Sequence, residues 1–257
     1  MLSHPSCLAR GLAIGLAIGL VILPLGARGA QTQTNWLDVE SRIQYGFYTE
    51  DARSLAGVME LLVPTEGESA SKSYYAGLAN YRLTQLMLAK DRIRAKETAA
   101  ECVHSLDRAL KINKDFADAL ALQSACLDML TTLEAWRTPF AASKSGAQIE
   151  KARHLAPRNP RVLLLDAVAV YDRLKGSAAE KDRALNGFRK ATAAFEVERQ
   201  EAEHAPGWGA AEAYVYLGRC YLDRGATLDA RDALERALLI APEFAEARRL
   251  MAKITTG

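Results

Sequence analysis

From Asn35 onward, apolar residues recur with a helical period, and runs of β-branched residues with strict alternation are missing. Glycine and proline fall between the periodic segments, where they punctuate the chain. Asn159-Pro160 has the pattern of an N-cap followed by proline in the first turn of a helix. Trp208 is expected to pack as a hydrophobic staple on the start of the helix that follows it. The pattern predicts roughly ten helices joined by short connections.

The clearest repeat unit spans 211–244 and contains two helical patterns. The small residues Gly218 and Ala230 stand where the two helices of the unit would touch. The other regular places hold apolar residues and a closing proline: Tyr214, Leu217, Tyr221, Leu234, Ala237 and Pro242. This spacing resembles the pattern of about 34 residues that defines the tetratricopeptide repeat (TPR).

Three earlier segments carry weaker copies of this unit. Their second helices align on an alanine, at Ala109, Ala152 and Ala191. Small residues then form the expected contact pairs between helices: Ala79 with Cys102, Ser124 with Ser145, and Ala167 with Ala184. Gln123 and Asp166 depart from the pattern, which favours apolar residues there. The small contact residues of each copy are also farther apart in the sequence than Gly218 and Ala230, so we expect lengthened helices or inserted loops.

The resemblance implies an all-α fold: a right-handed superhelical TPR-like solenoid of antiparallel helix pairs. We expect the domain 30–257 to divide into a cap at about 34–63, repeats at about 71–116, 117–158, 160–205 and 211–243, and a closing helix at 244–255. Caps are expected because the terminal faces of a stack must be covered for solubility.

The first thirty residues differ from the rest. Arg10 is the only charged residue before the apolar run 11–25, and the small-residue sequence GARGA follows. This is the layout of a secretory signal, and the run is shorter than the roughly 20 residues of a membrane span. The sequence predicts a signal peptide at 1–29 and a periplasmic or secreted mature protein. The alternative is an uncleaved anchor, because the spaced glycines of the run could pair helices in lipid.

Charge and cysteine content narrow the possible functions. The formal net charge of +2 argues against a nucleic-acid partner, which requires a concentrated basic surface. Three cysteines follow the predicted signal: Cys102, Cys126 and Cys220. An odd number without close spacing is not a disulfide framework. We therefore expect small buried thiols, with a Cys102–Cys126 bridge as the alternative.

Motifs for catalysis or metal binding are missing. No histidine or cysteine pairing has the spacing of a zinc site, and no nucleophile elbow or phosphate-binding loop follows a strand. Asp166 is unusual because it lies in the apolar run VLLLDAVAV. A buried aspartate needs a partner or a shifted pKa, and we expect it to pair with an arginine or to cap a neighbouring helix. The sequence thus predicts no enzyme activity, no cofactor and no metal.

Two segments are candidates for partner binding. The first is the connection TLEAWRTPFAASKSG, which offers Trp136, Arg137 and Phe140 as recognition residues unless its aromatic residues only fasten the loop to the repeats. The second is the groove that the TPR resemblance implies along the first helix of each pair. On this chain the ligand-facing places of that groove hold Asn80, Asp128, Tyr171, Asp172, Arg219 and Asp223.

These features predict a binding protein. We expect a periplasmic scaffold or adaptor that holds a peptide or protein partner of an envelope complex in its TPR-like groove. The alternative is a small-ligand-binding helical protein associated with a transporter, with a pocket lined by Asp166 or by the Trp136 loop. Membrane contact is expected only if the signal stays uncleaved.

Overall fold

The computed structural model of the chain describes residues 35–62, 69–133, 138–173, 178–201 and 207–256, so the predicted signal peptide lies outside the described residues. Within these ranges the chain is helical and has no β-strand. The helices are α1 (Trp36–Tyr48), α2 (Ala52–Leu62), α3 (Ala70–Met87), α4 (Arg92–Ile112), α5 (Ala117–Leu133), α6 (Thr138–Leu155), α7 (Pro160–Arg173), α8 (Ala178–Glu201), α9 (Ala210–Leu222), α10 (Thr227–Ile240) and α11 (Ala245–Thr256).

The helices pack as a stack of pairs. Each odd-numbered helix from α1 to α9 packs against the helix that follows it, and α11 packs on α10. Successive first helices also pack on each other, from α1 through α3, α5 and α7 to α9. The stack therefore has one row of first helices, and this row positions the site described below.

Small residues lie where paired helices approach, as the repeat pattern predicts. Ser124 Oγ is 3.0 Å from Ser145 Oγ, between α5 and α6. A Cβ atom added to Gly218 would lie 3.0 Å from Leu234 Cγ, between α9 and α10. A Cβ at Gly187 would lie 2.8 Å from the Cβ of Ala167. These distances leave no room for larger side chains at the helix crossings.

The start of α7 agrees with the sequence prediction, whereas the start of α6 does not. Asn159 Oδ1 accepts a hydrogen bond of 2.9 Å from the backbone N–H of Arg161, and Pro160 is the first residue of α7, which confirms the predicted N-cap. The long connection predicted before α6 is wrong, because α5 continues to Leu133 and α6 begins at Thr138. Proline is tolerated in the first turn of a helix, so TPF can start α6.

Cys102 and Cys126 form a disulfide that joins α4 to α5. Both residues are fully buried, and their Cα atoms are 6.2 Å apart. The expectation of free buried thiols is therefore wrong for this pair and correct for Cys220. The bridge forms because helix packing brings together two residues separated by 24 positions, which linear spacing does not reveal.

The C-terminal end of α1 contacts α9 and the region of α11, and we call this the closing contact. Tyr48 donates a hydrogen bond of 2.8 Å to Glu212 Oε2 on α9. The rings of Tyr48 and Phe244 are 4.5 Å apart, and Glu50 forms an ion pair with Arg249 of α11. The two ends of the helix stack are therefore in contact with each other.

A buried arginine lies at the centre of the closing contact. Arg82 of α3 is only 2% exposed and forms an ion pair with Glu212, which is 4% exposed. Its guanidinium lies 4.2 Å from the ring centroid of Phe47 and 5.1 Å from that of Trp208. Trp208 Nε1 also donates to Tyr74 Oη at 2.7 Å. Trp208 therefore connects its own segment to α3, a distant contact that the predicted local staple does not include.

A second buried arginine, Arg161 of α7, connects α7 to α5 and α8. Its Nε donates to Asp118 Oδ1 of α5 at 2.6 Å, and its Nη1 donates to Glu198 Oε2 of α8 at 2.9 Å. Asn159 Nδ2 donates to the other Asp118 oxygen at 2.9 Å. Buried charges need such paired and hydrogen-bonded surroundings.

Candidate functional site

Polar and aromatic side chains from several first helices meet beside α11. The set combines carboxylates, tyrosines and one arginine, and we call it the first-helix cluster: Tyr81, Asp128, Tyr171, Asp172, Tyr216, Arg219, Asp223 and Glu246. Apart from Glu246 of α11, these residues lie on or directly after α3, α5, α7 and α9, which are consecutive in the row, so successive pairs contribute to one cluster.

Contacts within the first-helix cluster hold its side chains in place. Arg219 forms an ion pair with Glu246 and lies over the ring of Tyr216, 5.0 Å from the centroid. Tyr171 donates a hydrogen bond of 3.0 Å to Asp223 Oδ2. The rings of Tyr171 and Tyr216 meet edge to face, with centroids 5.8 Å apart. A surface ordered in this way loses little side-chain entropy when it binds a partner.

Asp172 is the open acceptor of this cluster. Its side chain is exposed to solvent, and within the described ranges it receives no hydrogen bond and forms no ion pair. Nevertheless, burial by the surrounding protein raises its pKa, Arg219 opposes this effect, and the negative charge of Asp128 adds to it. Exposure combined with a raised pKa is typical of a carboxylate at the open edge of a recess.

The structure brings together most of the groove residues predicted from the sequence. Five of them belong to the first-helix cluster: Asp128, Tyr171, Asp172, Arg219 and Asp223. Asp128 also accepts a hydrogen bond of 2.6 Å from Ser145 Oγ. Asn80 lies elsewhere, because it is buried and donates to the Ala76 carbonyl at 3.0 Å. Trp136 and Arg137 lie outside the described residues, and of Phe140 only the backbone, in α6, is described.

Sequence reasoning missed Tyr81, Tyr216 and Glu246. Tyr216 precedes Arg219 by three residues, one helical turn, so the i,i+3 spacing was a usable signal. Glu246 lies in the next helix, and nothing local indicates its contact with Arg219.

Asp166 forms the partnership that its sequence context predicts. Its Oδ2 is 3.6 Å from Arg153 Nε, and this contact links α7 to α6. Among the residues that the structure describes, no group of histidine, cysteine or acidic side chains could hold a metal ion. In the same ranges, no helix has both the length and the apolar character needed to cross a membrane.

Comparison with known proteins adds information on the fold. A scan with family models finds no match, and a search of curated proteins finds none either. Among solved structures, the HusA haemophore from Porphyromonas gingivalis is similar with a TM-score of 0.56 at 20% identity, over 74% of this chain and 94% of that one. The TPR protein TTC0263 from Thermus thermophilus is similar with a TM-score of 0.52 at 14% identity, over 84% of this chain and 98% of that one. The chain therefore has the all-α fold of a TPR-like solenoid.

Proposed function

We propose that this protein is an exported adaptor that holds a protein partner of the cell envelope at its first-helix cluster. The observation that carries the proposal is Asp172, an accessible carboxylate without a hydrogen bond or ion pair in the described chain. It lies beside Tyr171, Tyr216 and Arg219, and tyrosine and arginine are enriched among the residues that dominate binding energy at interfaces. The likeness to a TPR protein supports a role in holding other proteins.

The charges of the first-helix cluster indicate which partner chemistry fits. The cluster contains four carboxylates, and its only cation, Arg219, is already paired with Glu246. Burial raises the pKa of Asp172, and the nearby negative charge of Asp128 raises it further. A lysine or arginine of the partner would relieve this repulsion, and the tyrosine rings would contact its aliphatic stem. The partner segment is therefore expected to be basic.

Two observations support export. The N-terminal sequence has the layout of a secretory signal. The Cys102–Cys126 disulfide is of the kind that persists in oxidising compartments and is rare in reducing ones. Localisation can be tested by fractionating cells that express the tagged full chain. Recovery of the folded protein only in the cytosol would contradict this part of the proposal.

Partner capture with matched variants tests the binding role. The tagged protein is crosslinked mildly in its own cells and purified, and the recovered proteins are identified by mass spectrometry. We expect an envelope protein that is recovered with the wild type and lost with Asp172→Asn and Arg219→Ala. The controls are Asp232→Asn and Arg248→Ala, which change exposed residues outside the cluster. A partner that all four variants retain would show that binding lies elsewhere.

Binding of this partner is expected to weaken as the pH falls. The pKa of Asp172 is raised, so its carboxylate takes up a proton at a higher pH than an ordinary aspartate and then loses its attraction for a cation. Affinity should rise as the pH increases through this raised pKa, and Asp172→Asn should remove that part of the pH dependence. Titration calorimetry with the captured partner at several pH values measures this effect.

The contribution of Asp172 to folding stability should change with pH in the opposite direction to its contribution to binding. A raised folded-state pKa means that folding favours protonated Asp172, so its contribution to stability is greatest at low pH and is lost as the pH rises through that pKa. Asp172→Asn should therefore leave the protein at least as stable at neutral pH while weakening binding. An identical pH profile of binding for the wild type and Asp172→Asn would contradict the assignment.

A second candidate function is small-ligand binding. It is favoured by the fold likeness to HusA, which is described as a haemophore, and by a cleft between α6 and α8 that Asp166 lines. A thermal-shift screen with haem and with envelope metabolites tests this candidate, since a ligand that binds the native state raises Tm by mass action. An unchanged Tm with every compound would count against it.

A further inference from the structure

A long cleft lies on the side of the second helices, away from the first-helix cluster. Helices α6 and α8 form its walls, α7 forms its floor, and its volume is about 1630 Å³. The lining residues of α8 follow one continuous helical stripe: Arg183, Asn186, Gly187, Lys190, Ala193, Ala194 and Val197. The wall on α6 is a similar stripe, formed by Gly146, Ile149, Glu150, Arg153 and His154.

The size of the cleft matches one α-helix. The stripe on α8 runs from Arg183 to Val197 and is therefore about 21 Å long at about 1.5 Å per residue. A cylinder of that length and a helix diameter of about 10 Å has a volume of about 1,650 Å³. Pockets for small molecules are usually smaller, at about 300–1,000 Å³. A single small ligand would leave much of this cleft unfilled.

The floor and walls are suited to an apolar helix face. Ile149, Leu163 and Val170 line the lower part of the cleft, and Val197 is 53% exposed at one end. The α8 wall carries the small, exposed Ala193, which allows a neighbouring backbone to approach closely. On the α6 wall, a Cβ atom at Gly146 would meet nothing within 4 Å, so this wall leaves room for an added helix.

The charges of the cleft favour an acidic occupant. Each of its three carboxylates already contacts an arginine, because Arg153 contacts both Glu150 and Asp166 while Glu198 pairs with Arg161 outside the lining. Three other cations of the lining are exposed and form no ion pair within the described ranges: Arg158, Arg183 and Lys190. Arg183 and Lys190 lie on the α8 wall and Arg158 lies between α6 and α7, so these cations complement acidic side chains that flank an apolar helix face.

We propose that this cleft docks an amphipathic α-helix of a partner protein, about four turns long, with one apolar face flanked by glutamate or aspartate. The site shares no residue with the first-helix cluster and does not depend on the function proposed for that cluster. The adaptor would then have two docking surfaces, one that takes a basic segment and one that takes an acidic helix.

A pair of synthetic peptides tests this assignment. Both are fluorescently labelled amphipathic helices with the same leucine face, and one carries glutamate at the flanking positions where the other carries lysine. Fluorescence anisotropy with the full-length protein should show that the glutamate peptide binds about tenfold or more tightly than the lysine peptide. The affinity for the glutamate peptide should fall as the salt concentration rises.

Charge reversal identifies the binding surface. Arg183→Glu combined with Lys190→Glu should weaken the glutamate peptide about tenfold and strengthen the lysine peptide. Lys181→Glu is the matched control, because Lys181 is an exposed residue of α8 outside the cleft. Ala193→Trp, which adds bulk at an exposed lining position, should block the glutamate peptide. Circular dichroism checks that each variant remains folded.

Three results would overturn the proposal. The first is the absence of binding by either peptide. The second is equal binding of both peptides, which would show only apolar adsorption. The third is a preference for the glutamate peptide that survives both the charge reversal and Ala193→Trp, since that preference would then arise outside the cleft.

Discussion

Replacing Glu212 with leucine is expected to lower the free energy of unfolding by about 3–5 kcal/mol, because it leaves the Arg82 guanidinium buried without its counter-charge. Both partners are almost completely buried. The same substitution also removes the acceptor of the Tyr48 hydroxyl. Urea unfolding followed by circular dichroism at 222 nm, a wavelength sensitive to helix content, measures the loss. A cost below about 1 kcal/mol would mean that Arg82 finds water or another acceptor.

Two further variants separate the charge effect from the loss of contacts. In the double variant Arg82→Met/Glu212→Leu both charges are gone, and apolar replacement of a buried pair is frequently tolerated. It should therefore be more stable than Glu212→Leu alone, and the difference reflects the cost of leaving Arg82 buried without its counter-charge. Glu235→Leu is the exposed control, since Glu235 pairs with Arg231 on the surface of α10 and such pairs contribute about 0–1 kcal/mol.

Removing the disulfide with Cys102→Ala/Cys126→Ala is expected to cost about 3.5 kcal/mol, because the bridge closes a loop and restricts the unfolded chain. The two cysteines are separated by 24 positions, and this length sets the magnitude in the chain-entropy relation. The same urea titration measures it. Dithiothreitol should produce a similar loss only after the protein is unfolded, since both sulfurs are buried.

Counting thiols provides an independent check. The chain has four cysteines, including Cys7 in the predicted signal. Alkylation in denaturant without a reductant, followed by mass spectrometry, should label Cys220 and leave Cys102 and Cys126 unlabelled. Labelling of Cys7 would also show that the signal had stayed on the chain. Full labelling of Cys102 and Cys126 in protein isolated from the envelope would contradict both the bridge and its expected effect on stability.

The repeat pattern and the capping pattern predicted features that depend on residues close together in the sequence. The small residue Gly218 faces Leu234 because the two helices of one pair cross there, and this relation recurs in a sequence of repeats. The cap at Asn159 depends on atoms two residues away. The start of α6 was missed because Pro139 indicates a break in a sequence, although proline is also compatible with a first helical turn.

The candidate site was predictable where repeat register determines which way a residue faces. Asp128 and Tyr171 occupy equivalent places on neighbouring first helices, as do Asp172 and Asp223, so their proximity follows from the repeat. The Arg82–Glu212 pair could not be found in this way, because it joins residues 130 positions apart. The position of such a residue depends on how the stack curves over several helix pairs, and the sequence of one pair does not specify that curvature.

The closing contact changes how this protein is expected to lose its structure. An open array of repeats, in which each unit touches only its neighbours, can fray progressively from either end. Here the bond from Tyr48 to Glu212 spans 164 positions and the Glu50–Arg249 pair spans 199, so neither end can detach without breaking contacts made by the other. Unfolding should therefore be a single cooperative transition, and deletion of α11 should raise hydrogen exchange in α1 as well as in α10. Folding should also be slow for an all-helical chain, because contacts between residues so far apart in sequence carry a large loop-closure cost.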